Sequence, residues 1–335
     1  MDFVRSLALT LVAATLVLAP PTSLASQKPR GDAALETELR RLAATLPGTV
    51  GIAVHHVGTG RLVTVDADRA FPMGSVFKLP VAIAVLRRVQ TGGLTLETPI
   101  TIAPEAYYPG YSPLRDAKNR AEATVTVRDL VETMMVDSDN TAVDVLMARM
   151  GGADAVNAEL RAAGVPDVSV HRTEGEVMAD LDGLGAAPAG GWTYSALVAG
   201  EARATAEGKR AGRAKFLADS RDTATPTALA NLLARLDRGE VLDAERTKIL
   251  VGMLDRNKTG GRRFRAGLPA GVRIGDKTGT NPTVGTYNDA ALVTLPSGAR
   301  IALVVMTREA GDTGAAAEQL MASVARTVYA HFARP

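Results

Sequence analysis

Every residue from Leu79 to Leu86 is apolar, and that run restricts the possible folds more than any other stretch of the chain. A helix that is apolar all round cannot lie on a surface, so other elements must cover it on most sides. The segment opens with Ser75-Val76-Phe77-Lys78. A serine and a lysine therefore stand at the start of a helix that the rest of the molecule has to enclose. Pro80 lacks a backbone donor and is expected to distort the first turns.

The two ends of the chain carry the strand signals. Residues 34–46 place apolar side chains at helical spacing. Thr49–Val57 and Arg61–Val65 are β-rich runs joined by Gly58-Thr59-Gly60, a hairpin signal. Strands are expected again over 271–276, 285–295 and 299–307, with Pro296-Ser297-Gly298 as a turn, before a helix over 314–333. Between these ends, 126–150, 153–163, 227–237 and 243–255 are helical in pattern. The expectation is an α/β (α+β) fold in which an antiparallel sheet from both termini, flanked by helices, faces an inserted all-helical region. Residues 26–67 and 256–335 form the α/β part, and 68–255 the mainly helical part. Residues 182–221, rich in Ala and Gly, fit neither. The segment reads as a long loop, or as a loop with an exposed helix over about 199–218, and both readings stand at this level.

Composition removes several functions. No cysteine is present among 335 residues, which excludes disulfides, thiolate catalysis and Cys-ligated metal sites. Lys plus Arg is 38 and Asp plus Glu 36, a net charge of +2 without like-charged runs, which argues against a nucleic-acid partner. The histidines, His55, His56, His171 and His331, offer no metal-binding pair, so no metal and no cofactor is expected. Arg5, the apolar run Leu7–Ala19 and Ser23-Leu24-Ala25 describe a secretory signal peptide over 1–25. The run is too short to span a bilayer, so a protein working in the periplasm or outside the cell without a membrane anchor is expected.

Short motifs carry the chemistry. Ser75 and Lys78 share one helical face, so the amine can take the proton that makes serine a nucleophile. Ser138-Asp139-Asn140 lies at the junction of two helical runs, where these residue types are also ordinary caps. Lys-Thr-Gly occurs at 258–260 and at 277–279. The second copy is at a strand, whose edge can offer backbone donors and a cation to a carboxylate-bearing substrate. Lys277 is therefore the functional candidate of the two. The ordinary reading of either lysine is a solvated surface residue.

In this order the motifs make the chain resemble a class A serine β-lactamase. The likeness runs from about residue 34 to 333, outside 182–221, and includes Tyr111-Ser112-Pro113, Arg221–Pro226 and Arg263–Pro269. It implies Ser75 as the nucleophile that opens a lactam ring, Lys78 as its proton acceptor and Ser138 as proton donor to the leaving nitrogen. It implies that Asn140 binds the substrate's side-chain amide, and that Lys277 and Thr278 hold its carboxylate with Arg263 as a second cation. The amides of Ser75 and Thr280 would form an oxyanion hole, Gly279, the last residue of the motif, would join the substrate-binding strand, and Tyr111 would line the cleft. Glu174, in Arg172-Thr173-Glu174-Gly175-Glu176-Val177-Met178, would activate water for deacylation, and Arg172 would pair with Asp222. Whether Lys78 or Glu174 serves acylation as base stays open.

The resemblance also exposes departures. Gly175 stands where the family usually has proline, and Met178 where it usually has an asparagine that helps hold the water. The loop to Asp222 is longer than the family's by about 35 residues. Asp180 or a group on the insert is expected to hold the water instead. The implied activity is hydrolysis of β-lactams, conferring resistance, by a monomer. The alternatives are a penicillin-binding peptidase or acyltransferase, whose adduct would persist, and a non-hydrolytic sensor of β-lactams or peptidoglycan.

Overall fold

The structure is a computed structural model that describes residues 30–333. The expected signal peptide, 1–25, and the mature start near Ser26 lie outside the described residues. In chain order the elements are α1 (Arg30–Ala43), β1 (Thr49–His56), β2 (Leu62–Val65), β3 (Phe71–Pro72), α2 (Lys78–Gln90), β4 (Pro99–Ile102), α3 (Pro113–Lys118), β5 (Ala123–Thr126), α4 (Val127–Val136), α5 (Asn140–Met150) and α6 (Ala153–Ala162). There follow α7 (Glu174–Leu181), α8 (Tyr194–Arg203), α9 (Ala206–Ala218), β6 (Thr223–Ala224), α10 (Pro226–Asp237), α11 (Ala244–Asp255), α12 (Phe264–Gly267), β7 (Ile274–Asn281), β8 (Thr286–Thr294), β9 (Arg300–Arg308) and α13 (Gly314–Phe332).

Strands from both ends of the chain form one antiparallel sheet in the order β2-β1-β9-β8-β7. Alternate residues face opposite sides of a strand. Ile52, Val54, Leu303, Val305, Ala291 and Val293 pack under α1 and α13, while Ala53, Ala290, Leu292, Ala302, Val304 and Met306 join the core that contains α10. Because both faces are covered, β8 and β9 are buried along nearly their whole length rather than at alternate residues. The strand expected over 271–276 begins at Ile274 and runs on through Lys277-Thr278-Gly279-Thr280. The second Lys-Thr-Gly is thus inside β7, one of the sheet's two edge strands.

The apolar run behaves as its composition requires. Leu79 to Leu86 are all fully buried, and α2 lies among α4, α5, α6 and α11. Pro80 does not distort the helix. α2 starts at Lys78, so Pro80 falls in the first turn, where an amide would have no intrahelical partner.

The segment 182–221 is structured. It holds α8 and α9, whose N-caps are Thr193 and Thr205. The single helix expected over about 199–218 is two helices, because Thr205 starts a new one by accepting from Gly208 N. The insert is fastened at both ends. Glu105 accepts from the amide and hydroxyl of Ser195 at 2.9 Å each, while Phe216 packs with Leu181 and Val284 and Leu217 O accepts from Arg308.

Candidate active site

A 3-10 turn over Gly74–Phe77 leads directly into α2, which places Ser75 and Lys78 one turn apart. Lys78 is completely buried, and oxygens from separate elements surround its amine. Nζ lies 2.9 Å from Ser75 Oγ, 3.1 Å from Ser138 O, 2.5 Å from Asn140 Oδ1 and 2.8 Å from Glu174 Oε1. Carbonyl, amide and carboxylate oxygens only accept, whereas the Ser75 hydroxyl can also donate, so the serine bond is the one that can reverse to deliver a proton to a neutral amine. The nucleophile's own segment is pinned. Asn288 Nδ2 donates to the carbonyls of Pro72 and Met73 at 2.8 Å each, and Met73 N donates to Asp222 O at 3.0 Å.

The α4–α5 junction combines the two readings of Ser138-Asp139-Asn140. Asp139 is a helix cap, accepting from Ala142 N at 2.8 Å. It also accepts from Ser112 Oγ and Leu114 N. Ser138 adopts φ +58°, a left-handed conformation that costs a non-glycine residue about 1 kcal/mol or more. The turn sends Ser138 O to Lys78 and lets Ser138 Oγ accept from Lys277 Nζ at 2.8 Å. Asn140, the first residue of α5, points its oxygen at Lys78.

Strand β7 forms the opposite wall. Lys277 is fully buried, and burial together with the nearby Lys78 charge pushes its amine well below the ordinary lysine range. A Cβ at Gly279 would lie 2.5 Å from Met73 O and 3.2 Å from Ser75 N, so only glycine lets this strand run beside the nucleophile. Thr278 Oγ1 meets Thr259 Oγ1 at 2.5 Å, which draws the first Lys-Thr-Gly copy against the second. Arg263 is buried beside β7 rather than open to the cleft. It donates to Gly279 O at 3.1 Å, Asn288 O at 2.5 Å and Thr280 Oγ1 at 2.5 Å, and burial lowers its pKa. Tyr111 is 57% exposed with its hydroxyl on Asp137 O, and the cavity wall is made by Tyr108, Pro109 and Gly110.

The segment 172–222 closes the site. Arg172 Nε donates to Asp222 Oδ2 at 2.7 Å, and its guanidinium lies 4.9 Å from the centroid of the Phe216 ring. The Thr173–Glu176 capping box starts α7, which leaves Glu174 at its first position with its side chain on Lys78. Met178 lines the cavity one turn later. Asp180 does not: it is held by Arg172 at 2.7 Å and Arg221 at 3.3 Å. The resulting cavity, about 500 Å³, has Ser75, Asn140, Glu174, Thr280 and Phe216 on its walls.

A nucleophilic serine, a buried lysine and a carboxylate thus converge on one cavity within a single chain. The model of the β-lactamase enzyme family matches residues 34–332. The chain belongs to the class A serine β-lactamase family. It is 32% identical to a β-lactamase of Streptomyces albus G, over 95% of this chain and 92% of that one. It is 30% identical to the carbapenem-hydrolyzing β-lactamase KPC of Klebsiella oxytoca, over 85% of each. Among solved structures, the last common ancestor of Gram-negative bacteria class A β-lactamase matches with TM-score 0.72 and 35% identity, covering 89% of this chain and 99% of that one. A β-lactamase from Chitinophaga pinensis matches with TM-score 0.73 at 26% identity, covering 89% and 98%.

Within this class A chain, two residues that hold the site lie outside the motifs. Asn288 fixes the backbone before Ser75 from the middle of β8. Asp144 accepts from the amides of Glu174 and Gly175. Only Asp144 left a signal in the sequence, since it is four residues after Asn140 and shares its helical face.

Proposed function

We propose that the chain hydrolyses β-lactams, and so confers resistance to them, through an acyl-enzyme on Ser75. The observation that carries this reading is Lys78 Nζ, within 2.9 Å of Ser75 Oγ and 2.8 Å of Glu174 Oε1. Lys78 takes the serine proton as Oγ attacks the lactam carbonyl. The amides of Ser75 and Thr280 receive the developing oxyanion, in keeping with the close approach of β7 at Gly279. The C–N bond breaks as Ser138 gives its proton to the leaving nitrogen and takes up the one that Lys78 removed from Ser75, while Lys277, 2.8 Å from Ser138 Oγ, holds the hydroxyl by a hydrogen bond. Lys277, Thr278 and Thr280 hold the substrate carboxylate at the β7 end, with Arg263 orienting Thr280. Asn140 binds the acyl side chain's amide. Glu174 then takes a proton from water, whose oxygen attacks the ester, and Ser75 leaves with a proton returned through Lys78.

The persistent-adduct alternative lacks the feature found at Glu174, whose carboxylate reaches the nucleophile's lysine. We take the boundaries as 26–67 with 256–335 for the α/β part and 68–255 for the helical part, so that the site lies between them. One chain supplies every group, in keeping with a monomer. Export rests on the 1–25 pattern, and no helix among the described residues is long and apolar enough to cross a membrane. The test is turnover of a chromogenic cephalosporin by the mature chain and by Ser75→Ala. Many turnovers by the first and none by the second are expected. Turnover by Ser75→Ala overturns the serine mechanism, and one equivalent of stable adduct without turnover favours the peptidase reading.

A further inference from the structure

Asp144 stands on α5 one turn beyond Asn140 and faces the first turn of α7. Its Oδ1 accepts from Glu174 N at 2.7 Å and its Oδ2 from Gly175 N at 3.0 Å. Both amides open a helix and have no partner within it, and a single carboxylate satisfies the pair through charge-assisted bonds. Glu174 is therefore gripped from two sides, its backbone by Asp144 and its carboxylate by Lys78.

The second of these bonds explains the departure at residue 175. A Cβ at Gly175 would meet Leu197 Cδ1 at 3.4 Å and Asp144 Oδ2 and Trp192 Cβ at 3.7 Å, which is ordinary contact, and its φ is not left-handed. Neither space nor strain requires glycine there. The amide does exclude the proline usual in the family, because proline would leave Asp144 Oδ2 facing no donor.

We propose that Asp144 is the positioning residue for Glu174, that it acts through these paired main-chain amides, and that it thereby sets the rate of deacylation. This rests on the reading of Glu174 as the base. The clamp is also ionisable. Glu174 on α7 and Lys78 on α2 act on Asp144 from the side of the catalytic cavity. Tyr108, Glu105, Glu176 and Arg149 line, together with Asp144, a second cavity of about 490 Å³ behind the Glu174 turn. Burial and the Glu174 charge push the Asp144 carboxyl up to about 7, against the pull of the two amides and Lys78. Protonation turns one acceptor into a donor and removes the charge, so the clamp weakens as pH falls through that value. Trp192, the chain's single tryptophan, packs against Gly175 and supplies a reporter.

The experiment compares wild type, Asp144→Asn, Gly175→Pro and the double variant with a penicillin, reading acylation and deacylation separately by intact mass. Asparagine has one acceptor and turns its NH2 on the other amide, so Asp144→Asn should deacylate about tenfold more slowly, the worth of one charge-assisted bond. Acylation should persist, which shows that the variant is folded. Gly175→Pro alone should also slow deacylation. In the Asp144→Asn background it removes the confronting donor, and deacylation should recover toward wild type. Trp192 emission should titrate near the Asp144 midpoint in wild type and not in Asp144→Asn. Wild-type deacylation in Asp144→Asn, an equal loss from Gly175→Pro in both backgrounds, or an unchanged Trp192 titration overturns the proposal. Glu174→Gln separates the two levels. If it fails to trap the acyl-enzyme, the reading of Glu174 falls and this proposal with it. If it traps while Asp144→Asn behaves as wild type, the proposal alone falls.

Discussion

Arg172→Ala should open the insert without unfolding the protein. The guanidinium is 3% exposed and donates to Asp222 at 2.7 Å, Asp180 at 2.7 Å, Asp219 at 3.5 Å and Arg221 O at 3.1 Å, with the Phe216 ring against it. Every one of these partners lies in the segment that Arg172 itself begins. Removing one member of a buried ionic cluster costs about 3–5 kcal/mol, because the remaining charges stay buried and uncompensated. Since the loss is confined to 172–222, it should appear as local opening. Hydrogen exchange is the assay: amides of α7, α8 and α9 should lose about 10²- to 10³-fold protection, at about 1.4 kcal/mol per tenfold. Amides in β8 and β9 should be unchanged. Acyl-enzyme should accumulate, because Glu174 sits in the opened segment. Arg238→Ala, which breaks an exposed pair with Glu240, should leave the insert's protection as it was. Equal loss in α7–α9 and in β8–β9, or no loss in either, would refute the idea that Arg172 latches a separately opening segment.

Other consequences can be checked in the same preparations. Met178 presents only a thioether beside Glu174, so Met178→Asn should speed deacylation about 3- to 10-fold, the worth of one hydrogen bond to the attacking water; an unchanged rate would mean that the water is held elsewhere. Asp289, fully buried on β8, has its carboxyl raised well above the ordinary range by burial and by Asp276. The folded state then keeps a proton that the unfolded chain releases near pH 4, so stability falls as pH rises from about 4 toward the folded pKa. Asp289→Asn should therefore gain in Tm over wild type as pH rises above about 4, and a difference that stays constant with pH would contradict the assignment.

What could be read from the sequence was whatever is local in the chain. Ser75 with Lys78, the junction at Ser138, and Lys277 in a strand all follow from spacing within one element, and α2 followed from its composition. The parts that escaped depend on contacts between distant elements. Asn288 looks like an interruption in an apolar strand until its amide is seen against Pro72 and Met73. Asp180 is close to Glu174 along the chain, but six residues at about 100° each set it about 120° round α7 from Glu174. There it meets Arg172 instead. The insert's glycines hid two helices whose start signals, Thr193 and Thr205, were present as caps. The flanking Tyr111-Ser112-Pro113 motif points to Tyr111 for the wall, while the structure gives the wall to Tyr108.

The central claim is that Glu174 completes a hydrolytic cycle that Ser75 begins. The most direct measurement is the intact mass of Glu174→Gln and of wild type, quenched during reaction with a penicillin. The account predicts one acyl adduct on Ser75 that persists in the variant and is sparse in wild type while product accumulates. A Glu174→Gln enzyme that turns over and clears its adduct as fast as wild type would contradict it.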